Sequence, residues 1–85
     1  MRLTILYFAR LREAVDCAQE QVTVPSNVST VGQLRSWLIG RGERWSDAFE
    51  RIRPIRVAVD QVVTGDSTKL REGAEIAFFP PVTGG

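Results

Sequence analysis

The stretch TVGQLRSWLIG, Thr30 to Gly40, decides the fold. Thr30 stands three residues before Gln33. At that spacing each side chain satisfies the other's backbone N–H at a helix start. Val31, Leu34, Trp37 and Leu38 then recur at helical spacing and form one apolar stripe. Gly40 and Gly42 close it. Further on, ERWSDAFERI (43–52) has the pattern of a second, shorter helix with Trp45 and Phe49 on one side, and Pro54 then breaks the chain. One main amphipathic helix has one stripe to bury, so it must lie across one face of one sheet.

The strands lie on either side of it. In RLTILYFAR (2–10), Leu3, Ile5 and Tyr7 alternate with Thr4, Leu6 and Phe8. Both sets are largely apolar, which predicts a well-covered strand inside the sheet. Residues 10–16 are a charged connection with room for one helical turn. EQVTV (20–24) places Val22 and Val24 inward, and Pro25 ends it. After the helices, Ile55, Val57 and Val59 face the core. Asp60 and Gln61 make a tight turn into the short antiparallel return VVT (62–64). REGAE (71–75) turns at Gly73 into the last strand, EIAFF (75–79). Pro80 and Pro81 cannot donate to a ladder and end it. The order predicts an α+β domain, a mixed sheet of four to five strands with one main helix packed across it. Residues 1–81 form the domain and 82–85 a flexible tail.

Composition removes most enzyme classes. At 85 residues there is room for one small domain and no deep pocket. The net charge of +1 lacks the basic excess of a nucleic-acid binder. The apolar runs, such as Ile76–Pro81, fall well short of the roughly 20 residues of a membrane span. There is no histidine, which removes the commonest acid–base group and metal ligand together. Cys17 is the only cysteine, so neither an internal disulfide nor a cysteine metal site can form. The compartment expected from this usage is the cytoplasm.

The carboxylates are scattered. Glu43 and Asp47, and likewise Asp47 and Glu50, have the spacing of one helix face, as a solvated surface does. Asp16 beside Cys17 would raise its thiol pKa rather than activate it. Trp37 and Trp45 read as packing residues. RIRPIR concentrates Arg51, Arg53 and Arg56, either as charge guarding a sheet edge or as a docking site for an acidic partner.

The tail, FFPPVTGG (78–85), does not fit a purely structural role. Glycine is the costliest residue to order, and two stand last in the sequence. The prolines stiffen the exit from the sheet. Val82 to Gly85 can extend by roughly 13–14 Å at 3.3–3.6 Å per residue. A stiff base and a slim tip suit entry into a channel too narrow for side chains.

EIAFFPPVTGG, with LREGAE before it and LYFARLREAV near the start, resembles the small subunits of molybdopterin synthase, a family of ubiquitin-like sulfur carriers. The likeness covers nearly the whole chain and is weakest over residues 38–55. It implies the β-grasp fold and pairing of the first and last strands. It also implies that Gly85 is the working residue. An ATP-dependent adenylyltransferase would convert its carboxylate to an acyl-adenylate, and sulfur would replace AMP to leave a thiocarboxylate. Val82, Thr83 and Gly84 would then enter the active site of the large subunit in a cytoplasmic heterotetramer. Phe8, Phe79, Pro80 and Pro81 would form the partner interface. The resemblance implies no bound cofactor, no metal, no nucleic acid and no membrane. Catalytic groups would come from the partner, so the chain is not itself an enzyme.

Three other readings stand beside this one. They are a sulfur carrier for thiamine or cysteine synthesis, a ubiquitin-like modifier joined through Gly85 to target lysines, and an interaction module with an idle tail.

Overall fold

A computed structural model describes residues 1–81. The elements in chain order are β1 (Arg2–Tyr7), α1 (Ala9–Val15), β2 (Gln19–Thr23), α2 (Val31–Ile39), α3 (Glu43–Arg51), β3 (Arg56–Val59), β4 (Val62–Thr64) and β5 (Glu75–Phe79). The strands form one mixed sheet in the order β2-β1-β5-β3-β4. β1 and β5 run parallel, with Ile5 opposite Ile76 and Tyr7 opposite Phe78. The other three pairings are antiparallel.

The expected capping box is present. The Thr30 hydroxyl accepts from the Gln33 N–H at 3.2 Å, and Gln33 Oε1 accepts from the Thr30 N–H at 3.1 Å. Val31, Leu34 and Leu38 are fully buried. Trp37 is only half-buried, at the margin of the stripe, where its ring meets the Arg41 guanidinium. Gly40 does cap α2, but with an ordinary right-handed φ of −73°. Its left-handed freedom is therefore not what stops the helix.

Three helices are present: the main helix, the second one over ERWSDAFERI, and a full helix where one turn was expected. α3 is as long as α2, with nine residues each. The connection after β1 is a seven-residue helix rather than one turn, because Leu11 and Val15, four apart, both enter the core. All three helices contribute to one core cluster with Leu3, Ile5, Tyr7, Ile76 and Phe78 of the sheet. Phe49 of α3 meets Phe78 edge-on at 5.6 Å between centroids, one of the favoured aromatic geometries.

The helices leave the second sheet face without cover, which corrects the reading of β1 as covered on both sides. β1 is internal to the sheet, as expected, but Thr4 and Leu6 are only half-buried and Phe8 is exposed.

Two tight connections set the register at the opposite end from Phe79. Asp60 and Gln61 have φ of 48° and 71°, the left-handed pair that a two-residue hairpin needs between Val59 and Val62. Asp60 Oδ1 also accepts from the Glu75 N–H at 3.0 Å, tying this hairpin to β5. Gly73 takes φ +80° and donates its N–H to the Arg2 carbonyl at 2.8 Å. Glu72 accepts from the Arg2 N–H at 3.0 Å. The turn before β5 is thereby fastened to the start of β1, and the two strands leave side by side in the same direction.

Candidate functional site

β5 is the middle strand, so its C-terminal end is flanked on both sides. On one side Arg56 of β3 lies opposite Phe79. On the other, the Phe8 N–H donates to the Phe78 carbonyl at 3.1 Å and carries the β1–β5 ladder one step past Tyr7. Phe8 thus comes alongside Phe79. Side chains alternate between faces along a strand. Leu6, Phe8, Ala77, Phe79 and Ala58 therefore share the uncovered face, and Arg56 joins them. Phe8 is 46% exposed, whereas Leu6, Ala77 and Phe79 are half-buried. This is a contiguous apolar strip at the strand end that leads to residues 82–85, with one arginine at its margin.

The two prolines differ. Pro80 is buried within the chain, and Pro81 is half-buried. Pro80 therefore has little surface to give a partner. Val82, Thr83, Gly84 and Gly85 lie outside the described residues.

A second group of polar and aromatic side chains sits on the helix side, between β2 and the α2–α3 connection. Arg41 donates to Glu20 from both terminal guanidinium nitrogens, and the Tyr7 hydroxyl donates to Glu20 Oε2 at 2.8 Å. Trp45 Nε1–H donates to the Tyr7 oxygen at 3.3 Å. The Arg41 guanidinium also stands over both tryptophan rings, 4.3 Å from Trp45 and 5.4 Å from Trp37, a cation–π arrangement. Burial alone would raise the Glu20 pKa, but hydrogen bonds from Arg41 and Tyr7 and the Arg41 charge outweigh it and hold the carboxyl below its ordinary value. Sequence reasoning treated Glu20 as one of the scattered surface carboxylates. Its partner lies 21 residues away, and no local signal links them.

Neither nucleophilic candidate is activated. Burial first, then Glu20, pushes the Cys17 thiol up, with Asp16 a minor contributor rather than the main cause expected. Burial likewise raises the Tyr7 phenol. Both hold their protons at neutral pH, so neither supplies a thiolate or a base. Among the described residues no three His, Cys, Asp or Glu side chains come together in a way that could hold a metal. No described helix is long and apolar enough to cross a membrane.

The mixed β2-β1-β5-β3-β4 sheet with helices on one face is the ubiquitin-like β-grasp, the fold of small carrier and modifier proteins. Residues 5–85 match the model of the ThiS family, and the chain belongs to it. A protein of Escherichia coli named molybdopterin synthase sulfur carrier subunit is 36% identical over 83 residues, covering 98% of this chain and 99% of the relative. The protein of the same name in Mycobacterium tuberculosis is 34% identical over 85 residues, covering 100% and 99%. Among solved structures, SAMP1 from Haloferax volcanii superposes with a TM-score of 0.78 at 26% identity over the full length of both chains. A complex of subunits 1 and 2 of the molybdopterin-converting factor from Helicobacter pylori contains a chain matching at 0.68 and 21% identity, again over both full lengths.

Proposed function

We propose that this chain is the sulfur-carrying small subunit of a molybdopterin synthase, with Gly85 as the residue that bears the sulfur. The observation that carries this reading is the identity of 34–36% with proteins named sulfur carrier subunits, which spans both partners almost end to end. The fold supports it, since the central strand, which precedes the Val-Thr-Gly-Gly segment in sequence, ends beside an uncovered apolar strip.

On this reading an activating enzyme joins the Gly85 carboxylate to the α-phosphate of ATP and releases pyrophosphate. The acyl carbon of the adenylate is now electrophilic. A persulfide sulfur from a sulfurtransfer system displaces AMP, and a thiol then cleaves the acyl disulfide, leaving a disulfide and a thiocarboxylate. That group is polarizable and ionised near neutral pH. Val82, Thr83 and Gly84 carry it into the large subunit, where the sulfur attacks a carbon of the pterin precursor and displaces an oxygen leaving group; water then cleaves the thioester, leaving the sulfur on the pterin and restoring the carboxylate. Two such transfers build a dithiolene. On this reading the catalytic groups belong to the partners. The strip of Leu6, Phe8, Ala77 and Phe79 docks on the large subunit. The Helicobacter pylori complex of subunits 1 and 2 supports a partner of that kind.

Intact mass of the protein purified from a sulfur-replete host tests the reading. A fraction heavier by the difference between one sulfur and one oxygen, located at Gly85 by fragmentation, supports it. The same protein incubated with ATP, its activating enzyme and a sulfide source, without a mass change, rejects it.

A second reading is favoured by the match to SAMP1, which one other Haloferax volcanii structure names small archaeal modifier protein 1. In that case Gly85 is transferred to lysines of other proteins. Protein-sized adducts in the same mass experiment identify it.

A further inference from the structure

The RIRPIR segment admitted two explanations, and the fold removes one. β3 is internal, between β5 and β4, and the edges of the sheet are β2 and β4. Arg56 therefore guards no sheet edge. It stands on the uncovered face opposite Phe79, at the point where β5 runs out.

Further arginines stand close to that point along the chain, on both of the segments that reach it. Phe8, beside Phe79, is followed after one residue by Arg10 and then by Arg12 on α1. Arg51 closes α3, and only Ile52 to Ile55 separate it from Arg56, with Arg53 between them. All five are exposed.

These arginines differ from several others in the chain by having little to hold. Arg41 is bound to Glu20, Arg35 to Asp66, and Arg44 donates to the Val15 carbonyl. Among the described residues only Arg53 of the five has a carboxylate partner, Glu50 at 3.3 Å. Both members of that pair are more than two-thirds exposed, where an ion pair adds little.

We propose that Arg10, Arg12, Arg51, Arg53 and Arg56 form a cationic collar that docks on a carboxylate-rich protein surface around the channel that receives residues 82–85. This rests on the carrier reading above and adds the chemistry of the partner's surface to it. An apolar centre of phenylalanine with an arginine margin is the composition of a protein interface. Charge at its margin acts on encounter. It orients the approaching chain so that residues 82–85 meet the channel, and it raises the association rate more than it slows release.

The test is the rate of association with the molybdopterin synthase large subunit of the same organism, followed by stopped flow between about 50 and 500 mM NaCl, the range over which screening becomes nearly complete. Arg10→Glu with Arg56→Glu slows association about tenfold or more at low salt. The gap closes at high salt, and the dissociation rate changes little. Arg10→Lys with Arg56→Lys keeps the rate. Lys69→Glu with Arg71→Glu makes the same change in net charge at the opposite end and alters the rate less than about twofold. Arg10→Glu with Arg51→Glu repeats the test on helix surfaces alone, should a change in β3 disturb folding. Equal slowing by the collar and control pairs, or by neither, overturns the proposal while leaving the carrier reading in place. A folded, unmodified chain that does not bind the large subunit overturns both.

Discussion

Arg41 grips Glu20 with two parallel hydrogen bonds, Nη1 to Oε2 at 2.9 Å and Nη2 to Oε1 at 3.0 Å. This pairing clamps the edge strand β2 to the segment between α2 and α3. Both side chains are partly shielded, at 27% and 19% exposure, so water screens the pair less than it does an open surface bridge.

Glu20→Gln keeps an acceptor for Tyr7 and removes the charge. It should cost about 1–2 kcal/mol at pH 7, within the range for charge-assisted hydrogen bonds. The pH dependence has a definite sign. The folded pKa of Glu20 lies below its ordinary 4.5, so its contribution is fully present above that value and is lost as pH falls through the lower folded value. Urea unfolding from pH 7 downward should therefore show parent and variant converging in acid. A gap independent of pH would assign the loss to packing rather than charge.

Phe79 is half-buried beside the exposed Phe8, so it can be either a docking residue or a packing one. As a docking residue, Phe79→Ala should weaken binding to the large subunit by about 1–3 kcal/mol, the cost of a substantial interface contact. Calorimetry of binding and a thermal melt separate the roles. Unchanged affinity with a lower Tm makes Phe79 part of the core.

Gly84→Val places a branched side chain and a stiffer backbone next to Gly85. The variant should melt like the parent and fail in a reconstituted synthase assay. Full activity would show that the site receiving Gly85 is wide enough for side chains, contrary to the narrow-channel reading.

Deleting Gly85 removes no side chain and takes no residue from β5, which ends at Phe79. Stability should change by less than roughly 0.5 kcal/mol. The terminal carboxyl moves to Gly84, and its reach shortens by about 3.5 Å, enough to miss an aligned reaction site. The shortened chain should still bind the large subunit through its folded face and make no molybdopterin. Substantial product at matched concentration would mean that Gly85 does not carry the sulfur.

Much of the local structure was legible in the sequence because its causes are local. The Thr30–Gln33 box, the Asp60–Gln61 turn, the Gly73 turn and the proline stop after Phe79 each depend on residues a few positions apart. α1 was underestimated because its signal, Leu11 and Val15 among charged neighbours, spans little more than one turn. The association of Phe8 with Phe79 came through family resemblance, and the parallel register of β1 and β5 then gave it a place.

The sequence by itself determined the types of element, their order and the identity of the Val-Thr-Gly-Gly segment. Alternation along a strand tells which side chains share a face. It does not tell which face a helix will cover, or which strands become neighbours. Only the tertiary structure decided that Leu6, Phe8 and Phe79 stay on the uncovered side, that Pro80 is buried, and that Glu20 finds Arg41. It also moved Arg56 from a supposed sheet edge to an internal strand beside Phe79. Each of these outcomes rests on contacts between residues more than 20 positions apart, made once the helices and strands had settled against a single core.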